Sequence, residues 1–259
     1  MKEQKLIFFD IDGTLLNHDK QLPKRTKEAI HQLKEEGHIV AIATGRGPFM
    51  YEQLREALAI DTYVSYNGSY VVHDNEIIYR SPLDKSELER LTTEALEKGH
   101  PLMYMDETHM KQNTKHHHYI TESIESLKLG IDPGYDPDYY KDRDLYQTLF
   151  FIDDKEEDYF REQYPAFDFV RWHPLSVDVL PAGGSKAFGI IQLVDYLGYD
   201  KADVYVFGDG PNDIEMLSMF DHSVAMGNGC EEAKQVAGYV TKDVDEDGLY
   251  YGLKQVGLL

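Results

Sequence analysis

Two aspartates separated by one residue follow an apolar run near the N-terminus. Asp10 and Asp12 come directly after Leu6–Phe9, and Gly13 and Thr14 follow them. The pattern predicts a buried strand that delivers two carboxylates to its C-terminal end, the edge of an open α/β sheet where ligands bind. Because close carboxylates repel each other unless a cation lies between them, the pair indicates a hard metal ion such as Mg²⁺. The alternative is a strand followed by an acidic turn, since Asp and Gly also favour turns.

A second apolar run, Val204–Phe207, repeats this arrangement and leads into a glycine-rich segment that contains Asp209, Asn212 and Asp213. Two strand ends bearing carboxylates can together chelate one Mg²⁺, which prefers near-octahedral oxygen ligands and usually keeps waters. The acidic-turn alternative is weaker here, because the arrangement occurs twice.

Two further positions suit a bound anion. Thr44 and Gly45 lie between a predicted strand and the next helix, where a hydroxyl and backbone N–H groups favour an anion; an N-capping role for Thr44 is the alternative. Lys186 begins a predicted helix. A lone lysine is usually a solvated surface charge, but a site that holds several carboxylates and a phosphate needs a fixed cation.

Strands and helices alternate around these residues, which favours an α/β core with a parallel sheet. The predicted core strands are Leu6–Phe9, Ile39–Ala43, Tyr63–Ser65, Tyr70–His73, Glu76–Tyr79, Val204–Phe207 and Ser223–Ala225. The predicted core helices are Pro23–Glu36, one that Pro48 opens, Lys186–Leu197 and Asp213–Phe220.

The pattern changes between these two groups and predicts an α+β insert of about a hundred residues, within the range of one domain. We assign residues 1–81 and 182–259 to the core and 82–181 to the insert. The predicted insert strands are Leu102–Met105, Met110–Gln112, Leu145–Ile152, Phe167–Trp172 and Val177–Leu180. Its helices are Leu83–Lys98, His117–Lys128 and Glu156–Tyr164, with a loop over Ile131–Asp144. Trp172 is expected to pack in this insert, and a substrate contact is the alternative.

The composition excludes some partners. The chain of 259 residues has a formal net charge of -21, from 47 acidic and 26 basic residues. Nucleic acids and anionic membranes bind to clusters of Lys and Arg. Because this chain is strongly acidic instead, neither is expected as a partner. The single cysteine, Cys230, fits a reducing cytoplasm. No run approaches the ~20 apolar residues of a membrane span.

The motifs together resemble the haloacid dehalogenase (HAD) superfamily, and within it the Cof-type phosphatases. The four superfamily motifs correspond to Asp10-Ile11-Asp12-Gly13-Thr14, Ala43-Thr44-Gly45-Arg46, Ser185-Lys186 and Gly208-Asp209-Gly210-Pro211-Asn212-Asp213. The subgroup pieces are Tyr66-Asn67-Gly68, Ala225-Met226-Gly227-Asn228-Gly229, Tyr239-Val240-Thr241 and Asp247-Gly248. The resemblance implies a Rossmann-like parallel-sheet core with an inserted α+β cap of the C2 class, B form, that reads the substrate. Ala187 departs from the subgroup, which usually has Gly after the lysine.

The resemblance also implies roles for the site residues. Asp10 would attack phosphorus and form an aspartyl-phosphate. Asp12 would protonate the leaving alcohol and then activate water, and its backbone carbonyl would bind Mg²⁺. Asp10 and Asp209 would provide carboxylate ligands, and Asp213 would act through metal-bound water or by holding Lys186. The phosphoryl oxygens would be bound by Ile11, Thr44, Gly45, Lys186 and Asn212.

The expected activity is Mg²⁺-dependent hydrolysis of a small phosphorylated metabolite, either a sugar phosphate or a phosphorylated cofactor, by a cytoplasmic monomer or homodimer. A phosphomutase and a non-catalytic metabolite-binding protein are the alternatives on the same fold. Tyr104, Arg171 and His173 are chosen as positions of the cap at which substitutions would shift substrate preference.

Overall fold

The chain divides into two compact units. The computed structural model describes residues 4–127 and 133–259. One unit, which we call the core unit, comprises Met1–Arg46, Glu52–Arg80 and Ser185–Leu259 as far as these are described. The other, the inserted unit, comprises Gly47–Tyr51 and Ser81–Gly184.

Thirteen strands and nine helices are assigned in the described residues. The strands are β1 (Leu6–Phe9), β2 (Ile39–Ala43), β3 (Tyr63–Ser65), β4 (Tyr70–His73), β5 (Glu76–Arg80), β6 (Leu102–Met105), β7 (Met110–Gln112), β8 (Gln147–Phe150), β9 (Phe167–His173), β10 (Ser176–Pro181), β11 (Val204–Gly208), β12 (His222–Ala225) and β13 (Tyr239–Val240). The helices are α1 (Lys24–Glu35), α2 (Glu52–Leu58), α3 (Lys85–Glu97), α4 (His118–Leu127), α5 (Asp154–Gln163), α6 (Lys186–Leu197), α7 (Ile214–Met219), α8 (Glu231–Val236) and α9 (Gly248–Gln255).

The core unit is built on one eight-stranded sheet in the order β13-β12-β11-β1-β2-β3-β4-β5. The first six strands in this order are parallel, and β4 and β5 are antiparallel. Strand β1 lies between β11 and β2, so Phe9 is opposite both Phe207 and Ile42. Every residue of β1 is fully buried, as expected for a parallel strand whose two faces are covered. The predicted α/β core with a parallel sheet is therefore confirmed.

The inserted unit contains a separate antiparallel sheet in the order β7-β6-β8-β10-β9. One face of this sheet contributes Phe150, Val177 and Val179 to an apolar cluster, to which α3 adds Leu91 and α5 adds Phe160. Side chains alternate between the two faces of a strand, so the residues between these point to the opposite face. The unit is α+β, as the sequence predicts.

Some elements differ from the prediction. Pro48 opens only a short 3₁₀ turn, Pro48–Met50, and α2 begins after it at Glu52. Helices α8 and α9 were not predicted. Lys128 and Ile131, at which a predicted helix ends and a predicted loop begins, lie outside the described residues. Within the described ranges, no helix has the length and apolar character needed to cross a membrane.

Candidate active site

The site is centred on a buried lysine between two aspartates. Lys186 Nζ donates to Asp10 Oδ1 at 2.6 Å and to Asp213 Oδ1 at 2.7 Å. All three side chains are at least nine-tenths buried. Asp10 follows β1, Asp213 follows β11 and Lys186 begins α6, so the three come from different parts of the chain. The structure thus brings together residues that the sequence treated as separate motifs.

Helix α6 is seated so that its first residue reaches this position. Ser185 caps the helix, because its hydroxyl accepts a hydrogen bond from Phe188 N at 3.1 Å. Gly68 and Gly189 allow α6 to lie close to the turn Tyr66–Gly68, which follows β3. A Cβ on Gly68 would lie 2.0 Å from the Ser185 carbonyl oxygen, and one on Gly189 would lie 2.7 Å from Gly68 Cα. Two side-chain-free positions therefore set the depth at which Lys186 enters the site.

Asp209 supplies a third carboxylate to the cluster. One oxygen each from Asp10, Asp209 and Asp213 lie within 4.8 Å of one another. The Asp209 carboxylate accepts from the Thr14 hydroxyl at 3.3 Å and from the Asn228 amide at 3.4 Å. It lies directly against the backbone of residue 13, the first glycine after the two aspartates, because a Cβ there would be 2.3 Å from Asp209 Oδ2. This oxygen-rich group is compatible with a divalent metal ion.

Asp213 is already occupied on both oxygens. Its Oδ2 accepts from the backbone N–H groups of Asp209 and Gly210 at 2.9 and 2.8 Å, while Oδ1 accepts from Lys186. Of the two roles that the sequence left open for Asp213, this favours holding Lys186 and the turn after β11.

The electrostatics of the cluster follow from burial and from these charges. Burial raises the pKa of Asp10 to about 8, opposed by Lys186 and reinforced by Asp213 and Asp209. Burial and Asp213 also raise the pKa of Asp209 to about 6. Burial alone would lower the pKa of Lys186, but Asp10 and Asp213 hold it above its ordinary value. The cluster therefore has more negative charge than its single lysine neutralises.

The carboxylate of Asp12 is held by two cations. Arg46 donates from Nε to Oδ2 at 2.8 Å and from Nη2 to Oδ1 at 2.7 Å, and Lys20 Nζ donates to Oδ1 at 2.6 Å. Burial would raise the pKa of Asp12, but Arg46 and Lys20 outweigh it and hold the pKa below its usual value. Lys20 has a left-handed backbone, with φ of 59°, in a turn that the Asn17 side chain stabilises by accepting from Asp19 N and Gln21 N.

The remaining candidates for anion binding lie at neighbouring strand ends of the core unit. Thr44 is buried, and its hydroxyl oxygen accepts from Arg46 N at 3.1 Å, which leaves its own proton available. The backbone N–H groups of Ile11 and Gly45 donate no hydrogen bond to another group within residues 4–127 and 133–259. The Asn212 amide donates to Asn67 Oδ1 at 3.1 Å. The set can present several donors to an anion.

Sequence reasoning missed four residues that organise this site. Arg46, Asn67 and Asn228 stand in motifs quoted above but received no role, and Lys20 was not singled out. Asn228 orients Asp209, while also donating to the carbonyl oxygen of residue 13 at 2.9 Å and accepting from Val244 N at 2.8 Å. Asn67 has a left-handed φ of 48°. An Asn-Gly pair directly after a strand was the available signal for this strained turn.

The three positions chosen in the insert have structural partners. Tyr104 is fully buried in the apolar cluster, and its hydroxyl donates to Thr92 at 3.1 Å. Arg171 donates to Glu157 Oε2 at 2.6 Å and to nearby carbonyl oxygens. His173 Nδ1 lies 3.1 Å from the Ser123 hydroxyl. Tyr104 and Arg171 face the helices of the inserted unit, so contacts within this unit explain why these side chains are present.

A family model for haloacid dehalogenase-like hydrolases matches residues 7–253. The chain belongs to this hydrolase family. The match includes both units and every site residue described above. The predicted membership in the HAD superfamily, Cof type, is therefore confirmed.

Relatives of this hydrolase agree with the assignment. YkrA of Bacillus subtilis is 45% identical over 257 residues, covering 99% of each chain, and its name classes it with the phosphatases. The 5-amino-6-(5-phospho-D-ribitylamino)uracil phosphatase YitU of the same organism is 31% identical, covering 96% of each chain. A solved structure of a HAD subclass IIB sugar phosphatase has a TM-score of 0.85 and 30% identity, covering 99% of this chain and 100% of the other. Family and relatives together support a phosphatase enzyme.

Proposed function

We propose that the protein is a Mg²⁺-dependent phosphatase that hydrolyses a small phosphorylated metabolite through an aspartyl-phosphate on Asp10. The observation that carries this proposal is the contact of Asp10 with Lys186 in a buried cluster of carboxylates, at the end of the central strand of the sheet. A cytoplasmic location, which the single cysteine favours, and a monomer or homodimer belong to the same proposal.

The donor set suits Mg²⁺. Asp10 and Asp209 offer carboxylate oxygens that Lys186 does not fully neutralise, and Asp12 would add its backbone carbonyl. Asp213 would hold Lys186 and the turn after β11, because both of its oxygens already accept hydrogen bonds. When bound, the ion would neutralise negative charge on the carboxylates and on the phosphoryl oxygens.

In the first half of the reaction, Asp10 Oδ attacks phosphorus and the bond to the leaving alcohol oxygen breaks. Asp12, protonated by the attacking water of the preceding turnover, donates that proton to the oxygen. Lys186, the Thr44 hydroxyl and the backbone N–H groups of Ile11 and Gly45 would bind the phosphoryl oxygens and stabilise their charge, together with Asn212. Positioning and charge stabilisation account for most of the catalysis of phosphoryl transfer.

In the second half, Asp12 accepts a proton from water as the water oxygen attacks phosphorus. The bond to Asp10 breaks, which releases inorganic phosphate and regenerates the carboxylate. The Arg46 contacts, which favour the charged form of Asp12, suit this step.

A sugar phosphate or a phosphorylated cofactor precursor is the proposed substrate. Relatives at 31% and 30% identity are named for one of each kind. The inserted unit, residues 82–181 in the sequence assignment, is proposed to determine which substrate is accepted.

Substitution of the two aspartates tests the mechanism. Asp10→Asn should abolish hydrolysis while leaving the unfolding transition in place, because the side chains are nearly isosteric. Asp12→Asn should slow alkyl phosphates by about 10²–10⁴-fold and an aryl phosphate less, because a phenolate leaves without a proton. The exposed Asp221 provides a matched control, Asp221→Asn, which should behave as the wild type. Near-normal turnover by Asp10→Asn would exclude the nucleophile.

The alternatives give different results in the same assays. Excess chelator should stop turnover, and added Mg²⁺ should restore it; full turnover in chelator contradicts the metal. Release of one inorganic phosphate per substrate, with water as the sole acceptor, excludes a phosphomutase. A purified chain that hydrolyses no phosphate ester in the presence of Mg²⁺ would instead indicate a metabolite-binding protein.

A further inference from the structure

One face of the sheet in the inserted unit places an aspartate, Asp178, among apolar side chains in the middle of the sheet. Met103, Leu149, Asp178 and Val170 are opposite one another in register across β6, β8, β10 and β9. Opposed residues of antiparallel strands point to the same face. This is the face opposite to that of Val177, and no Lys or Arg of the described residues is among the groups that shift the pKa of Asp178.

Two polar side chains lie beside Asp178. Gln147 is two residues before Leu149 on β8 and therefore on the same face. Burial raises the pKa of Asp178 to about 7, and the Gln147 amide and the Trp172 indole lie close enough to oppose that rise. The Trp172 N–H is near the carboxylate but falls short of a hydrogen bond of normal geometry.

A β-bulge presents Trp172 to this group. Ser176 pairs with His173, but Val177 pairs with Arg171, so Trp172 is an extra residue on β9 that has no partner on β10. A bulge of this kind re-aims a side chain and is frequent beside functional sites. Trp172 is also the single tryptophan of the chain.

The trio keeps buried hydrogen-bonding groups unused. Gln147 is 3% exposed, and its Oε1 accepts from no group among the described residues. Trp172 Nε1 is likewise buried and donates to no group in those parts of the chain. Leaving a buried donor and a buried acceptor unpaired costs folding free energy, so a neighbouring pair of them requires an explanation.

We propose that Asp178, Gln147 and Trp172 form a binding site for adjacent hydroxyl groups of a polyol. One hydroxyl donates to the Asp178 carboxylate and accepts from the Trp172 N–H, and a second donates to Gln147 Oε1. The carbon-bound hydrogens of the polyol pack on the flanking Val170, which is exposed and opposite Asp178 on β9. Only the identification of this polyol as the alcohol part of the phosphate ester rests on the proposed phosphatase function.

Other ligand classes fit this trio less well. An anion would be repelled by Asp178. An ammonium group would pair with Asp178 but would offer no acceptor to the Trp172 N–H. A purely apolar group would leave all three polar side chains unpaired. A hydroxyl both donates and accepts, so two adjacent hydroxyls satisfy every unused group.

Kinetics with matched esters test the proposal. Ribitol 5-phosphate and pentyl phosphate have the same number of carbons but differ in hydroxyl groups. Trp172→Phe, which removes only the N–H and one ring, and Asp178→Leu should each lower kcat/KM for ribitol 5-phosphate about tenfold. Both should leave pentyl phosphate within about twofold of the wild type. Asp158→Leu, at an exposed position of α5, is the matched control and should change neither substrate.

Fluorescence of the single tryptophan provides a test that requires no catalysis. Unphosphorylated ribitol should change the emission of Trp172 saturably, whereas 1-pentanol should not. Asp178→Leu should weaken the response to ribitol about tenfold, and Asp158→Leu should retain it. A chain without phosphatase activity would refute the proposed function, while this titration would still decide on the site.

Either experiment can overturn the proposal. Equal losses of kcat/KM on both esters, or no loss on ribitol 5-phosphate, would show that the trio does not bind hydroxyl groups. An emission response to ribitol that is absent in the wild type, or unchanged in Asp178→Leu, would show the same.

Discussion

The core unit contains a buried carboxylate and the inserted unit a half-buried one, and the two are surrounded differently. Asp10 faces the Lys186 ammonium and two further carboxylates. Asp178 lies beside two neutral polar side chains, Gln147 and Trp172, and within the described ranges no charged group shifts its pKa. In the core unit, charge is concentrated and partly paired, which suits the handling of a phosphoryl group. In the inserted unit, charge is disfavoured and unused hydrogen-bonding groups remain, which suits the recognition of neutral hydroxyls. The type of residue does not set its role; its neighbours do.

The largest expected effect comes from removing the paired cation of the core. Lys186→Met should lower the free energy of unfolding by about 3–5 kcal/mol at neutral pH, because it leaves Asp10 and Asp213 buried without a partner. It should also abolish phosphatase activity. Chemical denaturation measures the first effect, and Lys27→Met, at an exposed position of α1, is the control. A loss below about 1 kcal/mol would mean that the ion pair contributes little to stability.

The neutral surroundings of Asp178 predict that its carboxyl group makes the folded state less stable as pH rises. Its pKa is about 7 in the folded chain, against an ordinary value of 3.8. Between these values the folded state keeps a proton that the unfolded state releases, so the wild type loses stability as pH rises. Asp178→Asn should therefore gain about 1–3 kcal/mol relative to the wild type as pH rises from about 4 to about 8.

Denaturation of the two proteins across this pH range checks the sign. Asp158→Asn, at an exposed site, should track the wild type throughout. If Asp178→Asn instead became less stable relative to the wild type as pH rose, the surroundings of Asp178 would stabilise its charged form. The proposed difference between the two units would then be wrong.

A smaller effect is expected from the guanidinium that holds Asp12. Arg46→Lys replaces a guanidinium that donates two hydrogen bonds to Asp12 with a single ammonium. The kcat on an alkyl phosphate should therefore fall about tenfold. The aryl phosphate should change less. Arg25→Lys, in the exposed pair with Asp247, should leave both rates unchanged. Equal losses on both esters would indicate general damage rather than misplacement of Asp12, the proposed acid.

The smallest effect is expected on the helix-facing side of the inserted sheet. Tyr104→Phe removes a hydroxyl that donates to Thr92 and accepts from Asn113. Stability should fall by about 1 kcal/mol, and the ratio of kcat/KM for ribitol 5-phosphate to that for pentyl phosphate should stay constant. A changed ratio would mean that substrate choice is not confined to the opposite face.

Much of the fold could be read from local patterns. Strands such as β2 and β3 match their predicted bounds, because each is a short apolar run that ends at turn residues. The site motifs were also visible, since the carboxyl ends of parallel strands meet at one edge. The short helices α8 and α9 were missed, because six to eight residues give little periodicity. The equally short α2 was predicted because Pro48 marks the start of its segment.

Contacts across large sequence separations could not be read in the same way. The hydrogen bond from Arg46 to Asp12 joins residues that are 34 positions apart in the sequence. Asn228, at the end of another strand, donates a hydrogen bond to Asp209. The bulge at Trp172 adds one residue to β9. It is defined by the pairing of β9 with β10, so the alternation of side chains along the β9 sequence does not reveal it. Tyr104 and Arg171 were chosen without knowing which face of the sheet meets the helices.

The place of β1 in the sheet has a consequence for how the protein is made. Leu6 pairs with Val204 on one side and with Ile39 on the other. On the ribosome, the strand that Asp10 follows therefore has one open edge until β11 is translated, roughly ten seconds after β5 at 5–20 residues per second. An apolar strand with an open edge invites pairing with other chains. Newly made chains are thus most prone to aggregate in that interval, and a truncation between β5 and β11 should accumulate as insoluble protein.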